Sequence, residues 1–417
     1  MGLDFIFKNV KGTRDILPEE VIKWKKVESA IEKKMKSYNF QEVRLPTFEL
    51  TELFKKSTGE TTDIVKKEMF TFEDMGGRSI TLKPEGTPSI VRMFIQHGLF
   101  TKGMIQKFYY IERMFRQERP QKGRYREFNQ FGAEVIGSSF PETDVELIKS
   151  ALDIFEELNI KGITLNINSI GCQSCRKNFS IKLKENLRKK LENLCEDCKR
   201  RYSENPIRIL DCKKDKDKLM NVPVPIDFLC EECRNHFEEL KELLTKLKIN
   251  FIINTHLVRG LDYYTKTVFE FTHSKLGAQN EVGGGGRYDG LIKFLGGKDI
   301  PASGYAIGID RLVLLLKDSE KESKSNLDVY LVTFDKESNI LALKVMDELR
   351  KIGLSCDKDP MNRSPKAQLR EADRQNAKWV ILIGEDERKK GVLKLKNMQS
   401  GKQEEIPLNE IIKRLQC

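Results

Sequence analysis

Apolar positions near the start of the chain recur at helical spacing. Val21, Trp24, Val27, Ile31 and Met35 lie three or four apart, which puts one buried face on a helix. Pro18 suits its first turn, where a missing N–H costs nothing. Asn39 ends the pattern, and QEVRL (41–45) alternates as a short strand stopped by Pro46. Further runs predict strands at 79–82, 107–110, 127–135 and 164–167, with a helix over 141–158. Strands this close in sequence, two of them joined by a loop around Pro120 and Gly123, favour an antiparallel sheet over a doubly wound one. From 171 to 250 the composition shifts toward cysteine and lysine, with a lysine-rich helix over 177–193. Strand signal returns at 251–253 and 267–272, followed by a glycine run at 283–286 and an apolar helix over 305–316. KDSEKESKSN (317–326) is poor in apolar residues and reads as a linker. Beyond it a strand (328–333), two helices (339–351 and 368–376) and a strand (379–383) form a small α/β module with a mostly buried sheet.

The expected fold is therefore α+β, in three units. A body with an antiparallel sheet flanked by helices is split over 1–170 and 251–320. A cysteine-rich insertion occupies 171–250, and the C-terminal α/β domain occupies 327–417. A chain of 417 residues is long enough for two or three such cores without covalent staples.

Charge narrows the partners only a little. Lys and Arg number 74 against 63 Asp and Glu, a net charge of +11. That excess fits a polyanion such as nucleic acid, and fits a lysine-rich proteome equally well. No run approaches ~18 consecutive apolar residues, so no membrane span is expected. MGLDFIFKN (1–9) lacks the basic start and long apolar core of an export signal, and the expected location is the cytoplasm.

Five short segments concentrate chemistry. FRQERPQKGRYR (115–126) carries five positive charges in twelve residues, in the loop of an expected hairpin. Guanidinium forks bind phosphate and carboxylate bidentately, although an exposed charged loop would have the same composition. On the return strand, Gln130 and Glu134 are four apart and face one side, which hints at a polar pocket. LKPEGT (82–87) sets Glu85 and Thr87 just before a helix, as site residues or as a cap. LVRGLDYYT (257–265) is the third segment. GGGGRYDGL (283–291) is the fourth, either a flexible turn or a surface where missing Cβ atoms let a flat ligand lie against backbone. GYAIGIDR (304–311) puts one arginine, Arg311, on an apolar helix, where it must be paired or hold an anion.

Together these segments resemble the class II aminoacyl-tRNA synthetases. The arginine hairpin is similar to their motif 2, GYAIGIDR to motif 3, and LPTFE (45–49) to motif 1, whose proline lies at the dimer interface of that class. LVRGLDYYT and GGGGRYDGL resemble the two signatures particular to the histidyl-tRNA synthetase family, and KGTRDILP (11–18) and LKPEGT also stand intact. The resemblance runs over essentially the whole chain. It implies a class II catalytic sheet, an anticodon-binding C-terminal domain, a homodimer, and ligation of L-histidine to tRNA(His) at the expense of ATP with Mg2+. It implies catalytic roles for Arg116, bridging carboxylate and α-phosphate, and Arg259, an extra cation at the α-phosphate. Arg116, Glu118 and Arg311 would bind ATP. Glu85, Thr87 and Gln130 would receive the α-ammonium of histidine, while Glu134 and Tyr264, with Tyr263 nearby, would read its imidazole. Arg119, Gln121 and Arg126 would reach tRNA. A regulatory subunit of histidine biosynthesis resembles the same body, but should lack the C-terminal domain and have eroded motifs. A nucleic-acid-binding zinc protein would explain the charge and the cysteines, but not the arginine segments.

Seven of the nine cysteines lie in the insertion: Cys172 and Cys175, Cys195 and Cys198, Cys230 and Cys233 as C-x-x-C pairs, with Cys212 between the last two. Paired spacing in a cytosolic chain points to zinc before disulfides. Nineteen residues between Cys175 and Cys195 approach the spacing of a zinc ribbon. Four ligands close one tetrahedral site, which leaves three of the seven spare; a reduced, metal-free insertion is the alternative. Cys356 and Cys417 lie outside this group and are expected to be incidental.

Overall fold

The computed structural model describes residues 7–121, 123–317 and 327–416. Lys122, most of the expected linker (318–326) and Cys417 lie outside the described residues. The chain divides into two compact units, Met1–Lys317 and Asp318–Cys417.

The first unit has strands β1 (Gln41–Glu42), β2 (Phe48–Leu50), β3 (Phe70–Glu73), β4 (Ser79–Leu82), β5 (Gln106–Phe115) and β6 (Glu127–Ile136). These are followed by β7 (Ile163–Ser169), β8 (Ile252–Ile253), β9 (Thr265–His273), β10 (Glu281–Arg287) and β11 (Ala302–Gly308). Its α-helices are α1 (Pro18–Ser37), α2 (Thr51–Thr58), α3 (Thr87–Gln96), α4 (Pro141–Glu157), α5 (Gln173–Leu187), α6 (Glu196–Glu204), α7 (Glu231–Lys246), α8 (Leu291–Phe294) and α9 (Ile309–Leu315).

Eight strands form the main sheet in the order β1-β5-β6-β11-β10-β9-β7-β8. Every pairing is antiparallel except the two edges, where β1 runs parallel to β5 and β8 parallel to β7. A small antiparallel sheet, β2-β4-β3, stands apart from it. As the spacing predicts, α1 buries Trp24, Val27, Ile31 and Met35, and these pack with α4 and with Phe131, Phe269 and Tyr305 of the sheet. Burying each such side chain contributes about 1.5–3 kcal/mol. Asn39 closes α1's exit with a positive φ of 61°, a conformation asparagine tolerates.

In the middle of this sheet one open reading is decided and one expectation fails. The glycine run is not a turn: Gly283–Gly286 lie in β10, between β9 and β11. The helix expected over 305–316 is half strand, since Tyr305 and Ile307 belong to β11 and only Ile309 onward is helical. A central strand covered on both faces loses its polar alternation, so its apolar run looks like a buried helix. Smaller shifts are at ends: β1 stops at Glu42, and the lysine-rich helix starts at Gln173 and gives way to a 3-10 turn after Leu187.

The second unit holds a five-stranded sheet built from β12 (Val329–Thr333), β13 (Cys356–Lys358), β14 (Trp379–Ile383), β15 (Val392–Asn397) and β16 (Gln403–Pro407). Its order is β13-β12-β14-β15-β16. The first three strands run parallel, and the last two close as an antiparallel edge. Helices α10 (Lys336–Lys351) and α11 (Pro365–Arg374) are those expected; β13, β15 and β16 were not legible.

Candidate active site

Strand β6 carries the polar pair that the alternation singled out, and tertiary packing closes a pocket around it. Gln130 and Glu134 flank Gly132, opposite Tyr110 of β5. The Tyr110 hydroxyl reaches Gln130 Oε1 at 3.2 Å. Glu134 is 1% exposed; Thr87 Oγ1 donates to its Oε1 at 2.7 Å and the Tyr288 hydroxyl to its Oε2 at 2.7 Å. A Cβ at position 304 would sit 1.6 Å from Glu134 Oε2, so only glycine lets this carboxyl lie across β11.

Glu85 ends the neighbouring loop and is equally buried. It accepts from Thr58 Oγ1 at 2.6 Å and from the Tyr263 hydroxyl at 2.7 Å. Tyr263 and Tyr264 pack together with ring centroids 4.7 Å apart, and Tyr288 lies against Tyr263 edge-on at 5.8 Å. Glu85 and Thr87 do not cap α3: Gly86 is at its N-cap, and no side-chain cap bond forms. Burial pushes the Glu134 carboxyl up to about 8, against the lowering effect of its two hydroxyl donors. Burial also raises Glu85, with Thr58, Tyr263 and Arg116 opposing it.

The other end of the site is a cluster of guanidinium groups. Arg116 at the end of the hairpin donates through Nε to Pro84 O at 2.9 Å and lies over the Phe128 ring at 5.3 Å. Arg259 is gripped by two carboxylates, Glu270 at 3.1 Å and Glu281 at 2.7 Å. Arg311 donates through Nη1 to the Glu281 carbonyl and through Nε to Gly123 O at 3.4 Å. Burial alone would raise Glu281, yet Arg259, Arg311 and Arg116 outweigh it and hold this carboxyl below its ordinary value. Glu270 goes the other way, raised by burial and by the negative charge of Glu281. Glu118 pairs with Arg124 at 2.6 Å and lies 3.8 Å from Arg116. Glu118, Arg119, Gln121 and Arg124 line a cavity of about 590 Å³ together with Lys67 and Glu68. Arg126 turns away, donating to Glu118 O at 3.4 Å while its main chain bonds Gly12.

Several residues that shape this site were not singled out as site residues from sequence. Glu270 was visible as an acid inside the apolar run TVFEFT, and Glu281 and Tyr288 flank or sit within the glycine segment. Thr58 had no local signal. The hydroxyl partners of Glu134 are Thr87 and Tyr288, and of these Tyr288 was not among the expected site residues. Arg287, from the same glycine segment, is wholly buried and bonds Asp144 at 2.7 Å, so it braces α4. Arg14 of KGTRDILP similarly ties Glu20 at 2.7 Å and Asp310 at 3.4 Å.

A sequence model of the histidyl-tRNA synthetase family matches residues 12–312, nearly three quarters of the chain. The chain belongs to the histidyl-tRNA synthetase family. An anticodon-binding domain model matches residues 328–417, the part that the regulatory reading expected to be missing. The chain is 48% identical to the histidine–tRNA ligase of Acetivibrio thermocellus over 410 residues, covering 97% of this chain and 98% of that one. It is 46% identical to that of Thermotoga petrophila over 402 residues, 96% of each. The crystal structure of apo Staphylococcus aureus histidyl-tRNA synthetase superposes with a TM-score of 0.84 at 35% identity, covering 99% of this chain and 100% of that one. The class II catalytic sheet and the C-terminal anticodon-binding fold of the family are thus those of this chain.

The seven cysteines of 171–250 are all free thiols and fall into two groups rather than one. Cys172, Cys175, Cys230 and Cys233 form the first; Cys195, Cys198 and Cys212 meet Asp215 in the second. Cys356 is buried in the core of the second unit.

Proposed function

We propose that this chain is a histidine–tRNA ligase that activates L-histidine with ATP, releases pyrophosphate, and passes histidine to the 3′ end of tRNA(His). The observation that carries the reading is the juxtaposition of two unlike environments: a buried pocket of acids and hydroxyls beside three converging arginines. In the first step a carboxylate oxygen of histidine attacks the α-phosphorus, and the bond to the pyrophosphate leaving group breaks. Arg116 and Arg259 would hold the two anions together and stabilise charge added at phosphorus, while Arg311 takes the γ-phosphate end. Glu118 would also contact ATP. Glu85, Thr87 and Gln130 would receive the α-ammonium. Glu134, backed by Tyr288 and with Tyr263 and Tyr264 beside it, would read the imidazole. A side chain without matching polar groups leaves these buried acceptors unpaired and is rejected.

Mg2+ takes oxygen ligands, and Glu270 and Glu281, the carboxylates at the phosphate end, would hold it only by giving up their ion pairs with Arg259. Bound there, it would supply charge neutralisation of the phosphates. Zinc at the cysteines of 171–250 would be structural, consistent with their distance in sequence from every activation-site arginine. The boundaries 1–170 with 251–320 for the catalytic body, 171–250 for the insertion and 327–417 for the anticodon-binding domain remain our division.

Arg119 and Gln121 are exposed on the hairpin and suit tRNA contact, with Arg126 behind them. In the C-terminal unit Lys366, Arg370 and Lys390 show no ion pair among the described residues, so they are available to phosphates; Arg363, Arg374 and Lys389 are engaged by neighbouring carboxylates. A homodimer is supported by the small sheet β2-β4-β3, where Phe48, Leu50 and Phe72 are exposed. No described helix is long and apolar enough to cross a membrane, in keeping with a cytoplasmic site of action. Histidine-dependent exchange of pyrophosphate into ATP tests the reading; exchange driven by no amino acid would refute it.

A further inference from the structure

We infer that this chain holds two zinc ions, one at Cys172, Cys175, Cys230 and Cys233, and a second at Cys195, Cys198, Cys212 and Asp215. The inference rests on the proposed structural zinc and deepens it, from one site with spare cysteines to two sites that leave none spare. In each group the four ligand atoms lie within 4.8 Å of one another. Cys172 and Cys175 stand with sulfurs 3.6 Å apart, as do Cys195 and Cys212. Four thiolates at ~2.3 Å around one tetrahedral ion are ~3.8 Å apart, whereas a disulfide would bring two of them to about 2 Å. This spacing leaves no room for a cluster of several irons between the sulfurs.

Local structure is arranged for thiolates. All three C-x-x-C pairs open a helix: Cys172, Cys195 and Cys230 are the N-caps of α5, α6 and α7, and their partners lie in the first turn. Helix N-termini favour negative sulfur. In the first group the support is reciprocal: Cys172 N–H donates to Cys233 Sγ at 3.3 Å, and Cys230 N–H to Cys175 Sγ at 3.1 Å. The second group lacks a fourth cysteine, and a carboxylate fills the place. Asp215 is 2% exposed, its Oδ2 accepts from Cys195 N–H at 2.8 Å and lies 3.8 Å from Cys212 Sγ, and Lys218 neutralises its other oxygen at 3.1 Å. Oxygen and thiolate ligands both suit Zn2+ in closed tetrahedral sites.

The two ions would brace the segment 257–264, which carries Arg259, from two sides. The first joins the points where 171–250 leaves and re-enters the body. Arg176, next to Cys175, donates to the carbonyls of Asp262 at 2.9 Å and Tyr264 at 3.0 Å. The second anchors the stretch 205–212, in which Asn205 donates to Asp262 Oδ1 at 2.7 Å and Ile209 and Leu210 pack in one core cluster with Leu257 and Val258.

Elemental analysis of the purified full chain tests this without any substrate, so it is separable from the ligase reading. Two zinc atoms per chain are expected. One would overturn the two-site assignment, and none, or iron in its place, would overturn structural zinc altogether. Asp215→Ala should lose its second zinc to a chelator at least ~10-fold faster than the parent, with Asp215→His restoring retention. An unchanged release rate would remove Asp215 from the ligand set. Stripping both ions should raise KM for histidine several-fold, reversibly on adding zinc; an unchanged KM would overturn the bracing role.

Discussion

The two ends of the proposed activation site solve opposite electrostatic problems. At the histidine end, two acids are buried among tyrosines and threonines with no cation in bonding contact among the described residues, and burial lifts Glu134 to about 8. At the phosphate end, Arg259 is enclosed by Glu270 and Glu281, and three arginines share the negative charge of Glu281. The first end is short of positive charge and suited to a cationic substrate group. The second is already compensated, and a phosphate entering there competes with Glu281 for the same guanidinium groups. On the proposed function, binding selectivity would arise from an unmet need at one end, and transition-state stabilisation from pre-positioned cations at the other.

The comparison breaks most sharply at Arg259. Arg259→Ala should lower histidine-dependent pyrophosphate exchange by at least ~100-fold, since it removes a charge stabiliser at the reacting phosphorus. It also strands Glu281, so chemical denaturation should show a loss of stability that adding Glu281→Gln largely restores without restoring exchange. Recovery of activity in the double variant would mean that Arg259 serves the fold alone.

Deleting residues 327–417 separates both ends of the site from tRNA. Exchange should persist, while aminoacylation of tRNA falls at least ~10-fold and its salt dependence flattens through lost phosphate contacts. If exchange collapses as well, the C-terminal unit supports the catalytic body.

Glu134→Gln tests the charge-short end. It keeps the size and loses the acid, so KM for histidine should rise about 10-fold, with a smaller change for ATP. Equal damage to both constants would move Glu134 out of the histidine pocket. Tyr288→Phe removes one donor to the same carboxyl and should have a smaller effect, a few-fold in KM for histidine.

Proton linkage gives the finest reading. A carboxyl raised from 4.5 to about 8 is protonated in the free folded chain at neutral pH, and a bound cation should expel that proton. Calorimetry at pH 7 in buffers of different ionisation enthalpy should therefore show more proton release on histidine binding for the parent than for Glu134→Gln. The same shift makes the folded state bind more protons than the unfolded one between about 4.5 and 8. Its contribution to stability thus declines as pH rises across that window, and Glu134→Gln should flatten the decline. Identical slopes in both proteins would place the raised carboxyl elsewhere.

Sequence alone determined the elements whose periodicity is local: α1 from its apolar stripe, the β5–β6 hairpin from alternation around a charged loop, and α10 and α11 beyond the linker. It also singled out the segments that hold Glu85, Glu134, Arg116, Arg259 and Arg311, and the resemblance of those segments to class II synthetase motifs supplied the expected roles. Only tertiary structure decided what each of them meets. Gly283–Gly286 became a central strand and Tyr305 its covered neighbour, because a strand buried on both faces carries no alternation to read. Thr58 and Tyr288 acquired their roles from partners 27 and 154 residues away, across which no spacing rule operates. Arg287 stands in a segment as distinctive as that of Arg259, yet it turns inward to Asp144. Residue type and local pattern are properties of a short window, whereas burial and partner choice depend on how the whole sheet closes.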